Sequence, residues 1–278
     1  MGLMGWDEQT FMPTGAEEAR ANQKAALAGV IHEAKVDPKI GELIALLEDA
    51  SSLTTVERAN LREAKKSYQQ NTRVSTDLAS RSAQLESEGY AAWVRAREAD
   101  DYKSFSSILA EILALTKQML VLKKPEMALY DAAVDDFDPR MSTVRLAAIF
   151  DAVKTDLAPL IAKIGAKAPD SPVHQVPPQL RGGVDWDPAK QADMCKEIAE
   201  ALGFDFTRGR MDVSVHPFTG GSHPSDVRIT TRYSADNWIE GLAGTVHECG
   251  HAMYEQGRSN SQLDLPASQV TQPLPLTN

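Results

Sequence analysis

Hydrophobic and polar positions alternate in a helical pattern along most of the chain. Residues 16–47 show this period, and Pro38 is the first proline in that stretch. The predicted inner stripe of this segment consists of Ala19, Gln23, Ala26, Val30 and Ile31. Thr54 with Glu57 three residues later has the pattern of a capping box, which begins a helix. The proline-free residues 77–122 predict two helices, broken near READDYKSF.

The next part of the chain predicts a loop followed by a long helix. The loop covers YDAAVDDFDPRMS, residues 130–142, and Ser142 is the predicted cap of the helix. Apolar residues then recur at helical spacing, at Val144, Ala147, Phe150, Val153, Leu157 and Ile161. Pro159 predicts a kink or a break in this helix. Beyond a proline- and glycine-rich connection, Asp187 and Pro188 predict the start of another helix, which ends at Gly203.

From Arg208 the pattern changes to the period of a strand. The segments RMDVSVHPFTGG and DVRITTRY predict two short antiparallel strands. In the second strand, alternation places Asp226, Arg228 and Thr230 on one face, opposite Val227, Ile229 and Thr231. Ser234 predicts the cap of a final helix that ends at Gly257. The tail after this helix is polar, broken by proline and without a period, so we expect it to be loose.

Composition and charge narrow the class of protein. Aromatic residues make up only 6% of the 278 residues, and the formal net charge is −10. No basic block of the size that a nucleic-acid partner requires is present. The two cysteines, Cys195 and Cys249, are far apart and form no CxxC motif, which favours free thiols in a reducing compartment. No stretch approaches the roughly 18 continuous apolar residues of a membrane span, so we expect a cytoplasmic protein without a membrane partner.

The segment GTVHECGHAMYEQG carries the candidate chemistry. On a helix, His247 and His251 lie about 40° apart and one turn displaced, so both imidazoles can point at one ion. Glu248 lies beside them, where a carboxylate can take a proton from water at a zinc ion. This HExxH pattern is typical of zincin peptidases. Cys249 lies about 200° around the helix from His247, which favours a core position over a ligand.

Two alternatives remain open from the residues alone. HExxH also arises by chance, so a surface helix that happens to carry two histidines is one alternative. His216 in HPFTGG is equally compatible with a hydrogen-bonded histidine of a strand or loop. The capped helix after a short hairpin favours the metal site, because the edge strand of such a hairpin can hold an extended peptide.

Three ordered motifs resemble a known family. HPF, DVRIT and HECGH are similar to the HPF, DxRxT and HExxH motifs of the M32 metallocarboxypeptidases, the thermostable-carboxypeptidase-Taq family. The resemblance extends upstream through LMGWDEQTFMPTGAEEARANQKAAL and GYAAWVRAREADDYKSF, and so covers most of the chain. It implies a mainly helical, zincin-like peptidase with a short antiparallel hairpin before the HExxH helix. It also implies a peptide substrate, cleavage of C-terminal residues, zinc or cobalt as the metal, and homodimers.

The resemblance also assigns roles to individual residues. His247 and His251 would be metal ligands, and Glu248 would be the general base. The substrate groove would be shaped by His216, Asp226, Arg228 and Thr230.

The resemblance predicts a third metal ligand that the motifs of this chain do not supply. In the family this ligand is a glutamate of an HES/GQ motif beyond the zinc helix, whereas the only acids after His251 are Glu255 and Asp264. We expect a partial peptidase domain over residues 1–257, a helical region at 1–207, the hairpin and zinc-binding helix at 208–257, and a loose tail at 258–278.

Two further functions compete with a metallocarboxypeptidase. The first is a truncated, non-catalytic helical protein that binds a partner chain. The missing third metal ligand favours this alternative. The second is an endopeptidase with an unrelated zincin layout, which would lack its later ligand too. The three motifs favour the metallocarboxypeptidase, although this chain would be expected to hold metal weakly on its own.

Overall fold

The computed structural model describes residues 1–167 and 186–258. These ranges are mainly helical and include one small sheet, as predicted. The helices are α1 (Gly2–Thr10), α2 (Glu17–Lys35), α3 (Pro38–Glu48), α4 (Thr55–Asn71), α5 (Thr76–Glu98), α6 (Tyr102–Lys123), α7 (Leu129–Phe137), α8 (Thr143–Lys167), α9 (Pro188–Leu202) and α10 (Trp238–Gln256). The strands are β1 (Gly209–Val213), β2 (Thr219–His223) and β3 (Asp226–Thr231).

Several predicted helix ends are confirmed by their hydrogen bonds. The Thr54 hydroxyl accepts from the backbone N–H of Glu57, and the Glu57 carboxylate accepts from the N–H of Thr54, which completes the capping box of α4. The Asp187 side chain accepts from Ala189 N–H at the start of α9. Gly203 ends α9 with φ 108°, a left-handed conformation that favours glycine.

The predicted loop at residues 130–142 is wrong, because most of it forms α7. Tertiary contacts stabilise this acidic segment as a helix. The Asp135 carboxylate lies 2.8 Å from the Lys124 ammonium and accepts from Arg140 N–H at 2.6 Å. Ser142 does cap α8, accepting from the N–H of Arg145 at 3.3 Å. Helix α8 continues through Pro159 as a single element, so the expected break is absent there.

The predicted inner stripe of α2 is also wrong. Its buried residues are Ala21, Lys24, Gly29 and His32, whereas Val30 is 63% exposed. Helix α2 packs along α5 with this small and polar face. The ammonium of Lys24 lies 3.0 Å from the Glu8 carboxylate of α1. This ion pair compensates part of the cost of removing the buried lysine from water. Periodicity of apolar residues therefore misplaced the contact face.

The sheet has three strands in the order β1-β3-β2. Strands β2 and β3 form the predicted antiparallel hairpin, with Thr219 opposite Ile229. The prediction of one strand over RMDVSVHPFTGG is wrong, because residues 214–218 leave the sheet between β1 and β2. Strand β1 pairs parallel to β3, with Gly209 opposite Val227. The HPF segment consequently lies in the connection that carries the chain from one side of β3 to the other.

The described core lies between this sheet and the last two helices. Helices α9 and α10 pack against each other, and α10 also packs across β2 and β3. The buried apolar cluster consists of Ala199, Phe204, Val227, Ile229, Cys249 and Ala252. The sheet thus supports α10 from the side opposite to solvent.

Two long helices present apolar side chains to solvent. Helix α8 has no buried residue, and its exposed side chains include Phe150, Leu157 and Ile161. Helix α6 is the one helix of the described ranges that is long and apolar enough to cross a membrane by length and composition. A single helix of this kind is weak support for a membrane span. Its most apolar window is 6% buried.

Candidate metal centre

Helix α10 positions the candidate site through close contact with the sheet. It begins at Trp238 after Asn237, so the predicted cap at Ser234 is wrong. The Ser234 hydroxyl instead accepts from Asp236 N–H within the preceding turn. Gly244 allows the close approach, because a Cβ there would lie 3.1 Å from Thr231 Oγ1 and 3.2 Å from Pro217 Cγ. The helix ends before Gly257, as predicted.

The two histidines of α10 converge as their spacing predicts. The Nε2 atoms of His247 and His251 lie 3.3 Å apart, and the rings are nearly perpendicular at 81°. The side chain of His247 is 61% exposed, so this face of the helix is open. Two nitrogens bound to a tetrahedral zinc ion at about 2.0–2.1 Å would be separated by about 3.3–3.4 Å. The pair therefore fits two positions of one divalent cation.

Glu248 lies beside the histidines and is held by a residue that the motifs do not mark. Its carboxylate is buried, and Oε2 accepts a hydrogen bond of 2.6 Å from the Thr219 hydroxyl. The same hydroxyl lies 3.0 Å from the backbone carbonyl of Glu248. The other oxygen, Oε1, lies 4.0 Å from His247 Nε2. Thr219 thus orients the carboxylate so that one oxygen faces the imidazoles.

Cys249 belongs to the core, as predicted, and not to the metal centre. Its side chain is fully buried, and it is a free thiol. Burial, followed by the nearby Glu248 carboxylate and Cys195, raises the pKa of Cys249 to about 11. A thiol with so high a pKa is a poor metal ligand, because the thiolate is the form that binds.

The predicted groove residues Asp226 and Arg228 form a pair on β3. The Arg228 guanidinium donates to the Asp226 carboxylate at 2.9 Å and lies 4.0 Å from the ring centroid of Trp6. Hydrogen bonding from Arg228 is the main cause that lowers the pKa of Asp226. The indole of Trp6 is buried and donates to Asp212. Helix α1 therefore packs on the face of β3 opposite to Val227 and Ile229, which lie in the core with Cys249 and Ala252 of α10.

The other two groove residues, Thr230 and His216, are joined through the HPF connection. Thr230 is fully buried, so alternation does not place it on an open face. Its hydroxyl accepts from the N–H of Phe218 at 2.9 Å and bonds with the Ser214 hydroxyl at 2.6 Å. The Ser214 hydroxyl in turn donates to the backbone carbonyl of His216, and His216 is half-buried. Thr230 thus shapes the connection that carries His216.

The described part of the chain places two histidines at the candidate metal centre and no third side chain that could hold the same ion. Residues 1–167 and 186–258 contain no group of three His, Cys, Asp or Glu side chains placed to hold an ion. Glu255 is occupied by Arg258, at 2.7 Å, and Asp264 lies outside the described residues. A third ligand would have to come from outside the described residues or from another chain.

Two contacts of the candidate residues were missed by the sequence analysis, for different reasons. Thr219 contacts Glu248 only because α10 packs across β2, so no local pattern marks it. Trp6 belongs to a segment that carried the family resemblance, and its contact with Arg228 spans most of the chain. Only knowledge of which elements pack together reveals either contact.

Comparison with known proteins shows which family has a similar sequence. Residues 1–273 match the family described as Carboxypeptidase Taq (M32) metallopeptidase. The chain is 35% identical over 272 residues to thermostable carboxypeptidase 1 of Thermus thermophilus, covering 92% of this chain and 51% of the relative. It is 30% identical over 260 residues to carboxypeptidase 1 of Bacillus subtilis, covering 92% and 50%.

The structural similarity agrees with the sequence similarity. The structure of the M32 carboxypeptidase from Deinococcus radiodurans R1 is similar with a TM-score of 0.78 at 30% identity, covering 95% of this chain and 52% of that chain. The chain spans about half the length of the curated relatives it matches. The match includes the helices, the sheet and the helix that bears both histidines, so the chain belongs to the carboxypeptidase Taq (M32) metallopeptidase family.

Proposed function

We propose that this chain carries the reaction centre of a metal-dependent carboxypeptidase that hydrolyses C-terminal residues from peptides. The observation that carries the proposal is the convergence of His247 and His251, with Nε2 atoms 3.3 Å apart, beside the buried Glu248. Family membership supports a divalent metal cofactor. The two imidazoles suit zinc or cobalt, because both ions accept nitrogen ligands in tetrahedral sites.

Glu248 is the proposed general base. A divalent cation held by the imidazoles would polarise the scissile carbonyl and lower the pKa of an attacking water. Oε1 of Glu248 faces the imidazoles and accepts the proton of the attacking water, while Thr219 keeps Oε2 in place. The same carboxyl group then donates that proton to the leaving amine.

The groove residues are proposed to act in two ways. Arg228 is held between Trp6 and the Asp226 carboxylate, so this pair is proposed to shape the wall of the groove by holding β3 against α1. His216 and Thr230 belong to the connection before β2, where Thr230 supports the backbone from a buried position. Homodimer formation and a cytoplasmic location remain predictions from the sequence.

Release of a C-terminal amino acid from a blocked dipeptide tests the proposed function. The full chain is assayed with added zinc or cobalt, with chelator, and as Glu248→Gln. We expect release that depends on metal and that falls by about 100-fold or more in the variant, because general-base catalysis is lost. Release that persists in chelator or in Glu248→Gln would contradict the proposal, and so would a wild-type chain that binds metal without any release.

A further inference from the structure

A cavity lies away from the candidate metal centre, between α4 and the end of α6. Its volume is about 340 Å³, within the range of small-molecule sites. No residue of the sheet or of α10 lines it. We call it the α4–α6 cavity. From α4 and the residues after it, the cavity is lined by Arg62, Lys65, Lys66, Gln69, Gln70 and Arg73.

The α4 side of the cavity consists entirely of hydrogen-bond donors and amides. These residues recur at the three- and four-residue spacing that an amphipathic helix normally gives to its apolar face. Helix α4 accordingly has no buried residue. Four of the six side chains are cationic, although the protein as a whole has a formal net charge of −10. The α4–α6 cavity is thus a local positive region on an acidic protein.

The opposite wall adds two lysines with different surroundings. The Lys124 ammonium is buried and satisfied, since it contacts Asp135 at 2.8 Å, Asp136, and the carbonyl of Ala132 at 3.1 Å. Lys123 forms no ion pair with any described residue, and it is half-buried. Burial lowers the pKa of Lys123, and the ammonium groups of Lys35 and Lys124 lower it further against the opposing effect of Asp136. An anion in the cavity would stabilise the charged form of Lys123 and offset the repulsion from the neighbouring ammonium groups.

The other cationic side chains of the cavity form ion pairs within the protein, but these pairs are weak enough to leave the side chains available to a ligand. Arg62 pairs with Glu63 at 2.8 Å, and the two side chains of the Lys65–Glu48 pair are each about two-fifths exposed, so solvent weakens both pairs. Lys66 lies 3.6 Å from Asp135, a carboxylate that already contacts Lys124.

Arg73 is the best-oriented cation of the cavity. Its guanidinium donates to the carbonyl of Lys123 at 2.7 Å and lies 3.7 Å from Glu126. An arginine has five N–H groups, so this contact orients the guanidinium and leaves further donors for a ligand.

We propose that the α4–α6 cavity binds a small polyanion that carries two or more linked phosphate groups. Six cationic and two acidic side chains line it, and arginine and lysine together are the side chains that hold phosphate oxygens best. The cavity volume suits a diphosphate group or a nucleotide that contains one. The site is separate from the proposed peptidase chemistry and does not depend on it.

Calorimetric titration of pyrophosphate into the full chain tests this site. The titration is run at fixed ionic strength in metal-free buffer, so that pyrophosphate cannot bind through a metal ion. We expect submillimolar binding that weakens about ten-fold or more in Arg62→Gln/Lys66→Gln, because two charge-assisted contacts are lost. Both side chains are substantially exposed, so circular dichroism should show an unchanged fold.

The matched control is Lys154→Gln/Lys163→Gln, which removes the same charge from exposed positions of α8. Affinity that is unchanged in this control supports the site. An equal loss in both double variants, no loss in either, or no binding by the wild-type chain would overturn the proposal. ADP and citrate serve as further ligands. ADP that binds more tightly than pyrophosphate would support the site and identify a nucleotide, whereas citrate that binds as tightly as pyrophosphate would overturn the assignment to phosphate.

Discussion

At the residue scale, the orientation of Glu248 depends on one hydroxyl group. Glu248 is 6% exposed, and the Thr219 hydroxyl donates to its carboxylate at 2.6 Å. A buried charged oxygen that loses its donor is destabilising, since water cannot replace the contact fully. Spacing alone predicted that His247 and His251 converge and that Glu248 accompanies them, because these three depend only on helix geometry. Thr219 could not be predicted, because its contact depends on the packing of α10 on β2.

We therefore expect Thr219→Val to lower the free energy of unfolding by roughly 1–3 kcal/mol, since Oε2 of Glu248 is left without its donor. Thr219→Ser keeps the hydroxyl and serves as the matched control, with most of the stability retained. Urea denaturation followed by circular dichroism measures both variants. Equal stability of Thr219→Val and the wild-type chain would show that the hydrogen bond does not hold the carboxylate.

At the element scale, the helix ends were the most predictable features and the contact faces were the least. The caps at Thr54, Asp187 and Gly203 each depend on a few neighbouring residues, so local sequence was sufficient. Helix α7 was predicted as a loop because its stabilising contact, between Asp135 and Lys124, comes from outside the segment. The parallel pairing of β1 with β3 likewise depends on a connection that crosses the sheet.

The capping box of α4 gives a prediction for one element. Thr54→Ala removes the side-chain acceptor for the N–H of Glu57, which should lower the free energy of unfolding by about 1 kcal/mol. Ser52→Ala, at an exposed position of the same turn, should change it by less than about 0.5 kcal/mol. Urea denaturation compares the two, and equal effects would argue against the cap.

The link between α9 and β1 gives a pH-dependent prediction. Hydrogen bonds from the side chain of Thr207, from Arg208 and from the backbone of Thr207 lower the pKa of Asp205 to about 2. This pKa lies below the value of about 4 in the unfolded chain. The bonds therefore stabilise the fold fully above about pH 4, and this stabilisation is lost as the pH falls toward 2.

Asp205→Asn cannot titrate at this position. Thermal unfolding midpoints measured across this acid range should therefore fall less steeply in the variant than in the wild-type chain. Parallel curves would contradict the assigned role of Asp205.

At the scale of the whole molecule, the sequence predicted the class of fold but not which helix faces pack against other elements. Helical periodicity and three ordered motifs were sufficient for a mainly helical metallopeptidase fold. Periodicity marks the apolar residues of α8, but it cannot tell which element packs against them. In the structure this stripe is exposed, with Phe150 at 63% and Leu157 at 45%. Among residues 1–167 and 186–258, no element covers this stripe.

An exposed apolar stripe of this size should cause self-association of the chain. We expect Phe150→Gln/Leu157→Gln to shift the chain toward monomer, since the variant removes two apolar side chains without changing net charge. Asp151→Gln/Lys154→Gln alters two exposed polar positions of the same helix, also without changing net charge. This control should associate like the wild-type chain. Sedimentation velocity over a dilution series compares the three, and identical profiles would exclude α8 as the contact surface.

Cobalt binding shows whether His247 and His251 hold one divalent cation. Visible absorption is recorded while Co²⁺ is added to the wild-type chain, His247→Ala, His251→Ala and Glu248→Gln. We predict one weakly bound ion per wild-type chain, because the described residues place only two histidines, and no third possible ligand, at the candidate centre. Glu248→Gln should retain the spectrum, and either histidine variant should lose it. A spectrum that survives in both histidine variants would contradict the account, because the ion would then lie elsewhere in the chain.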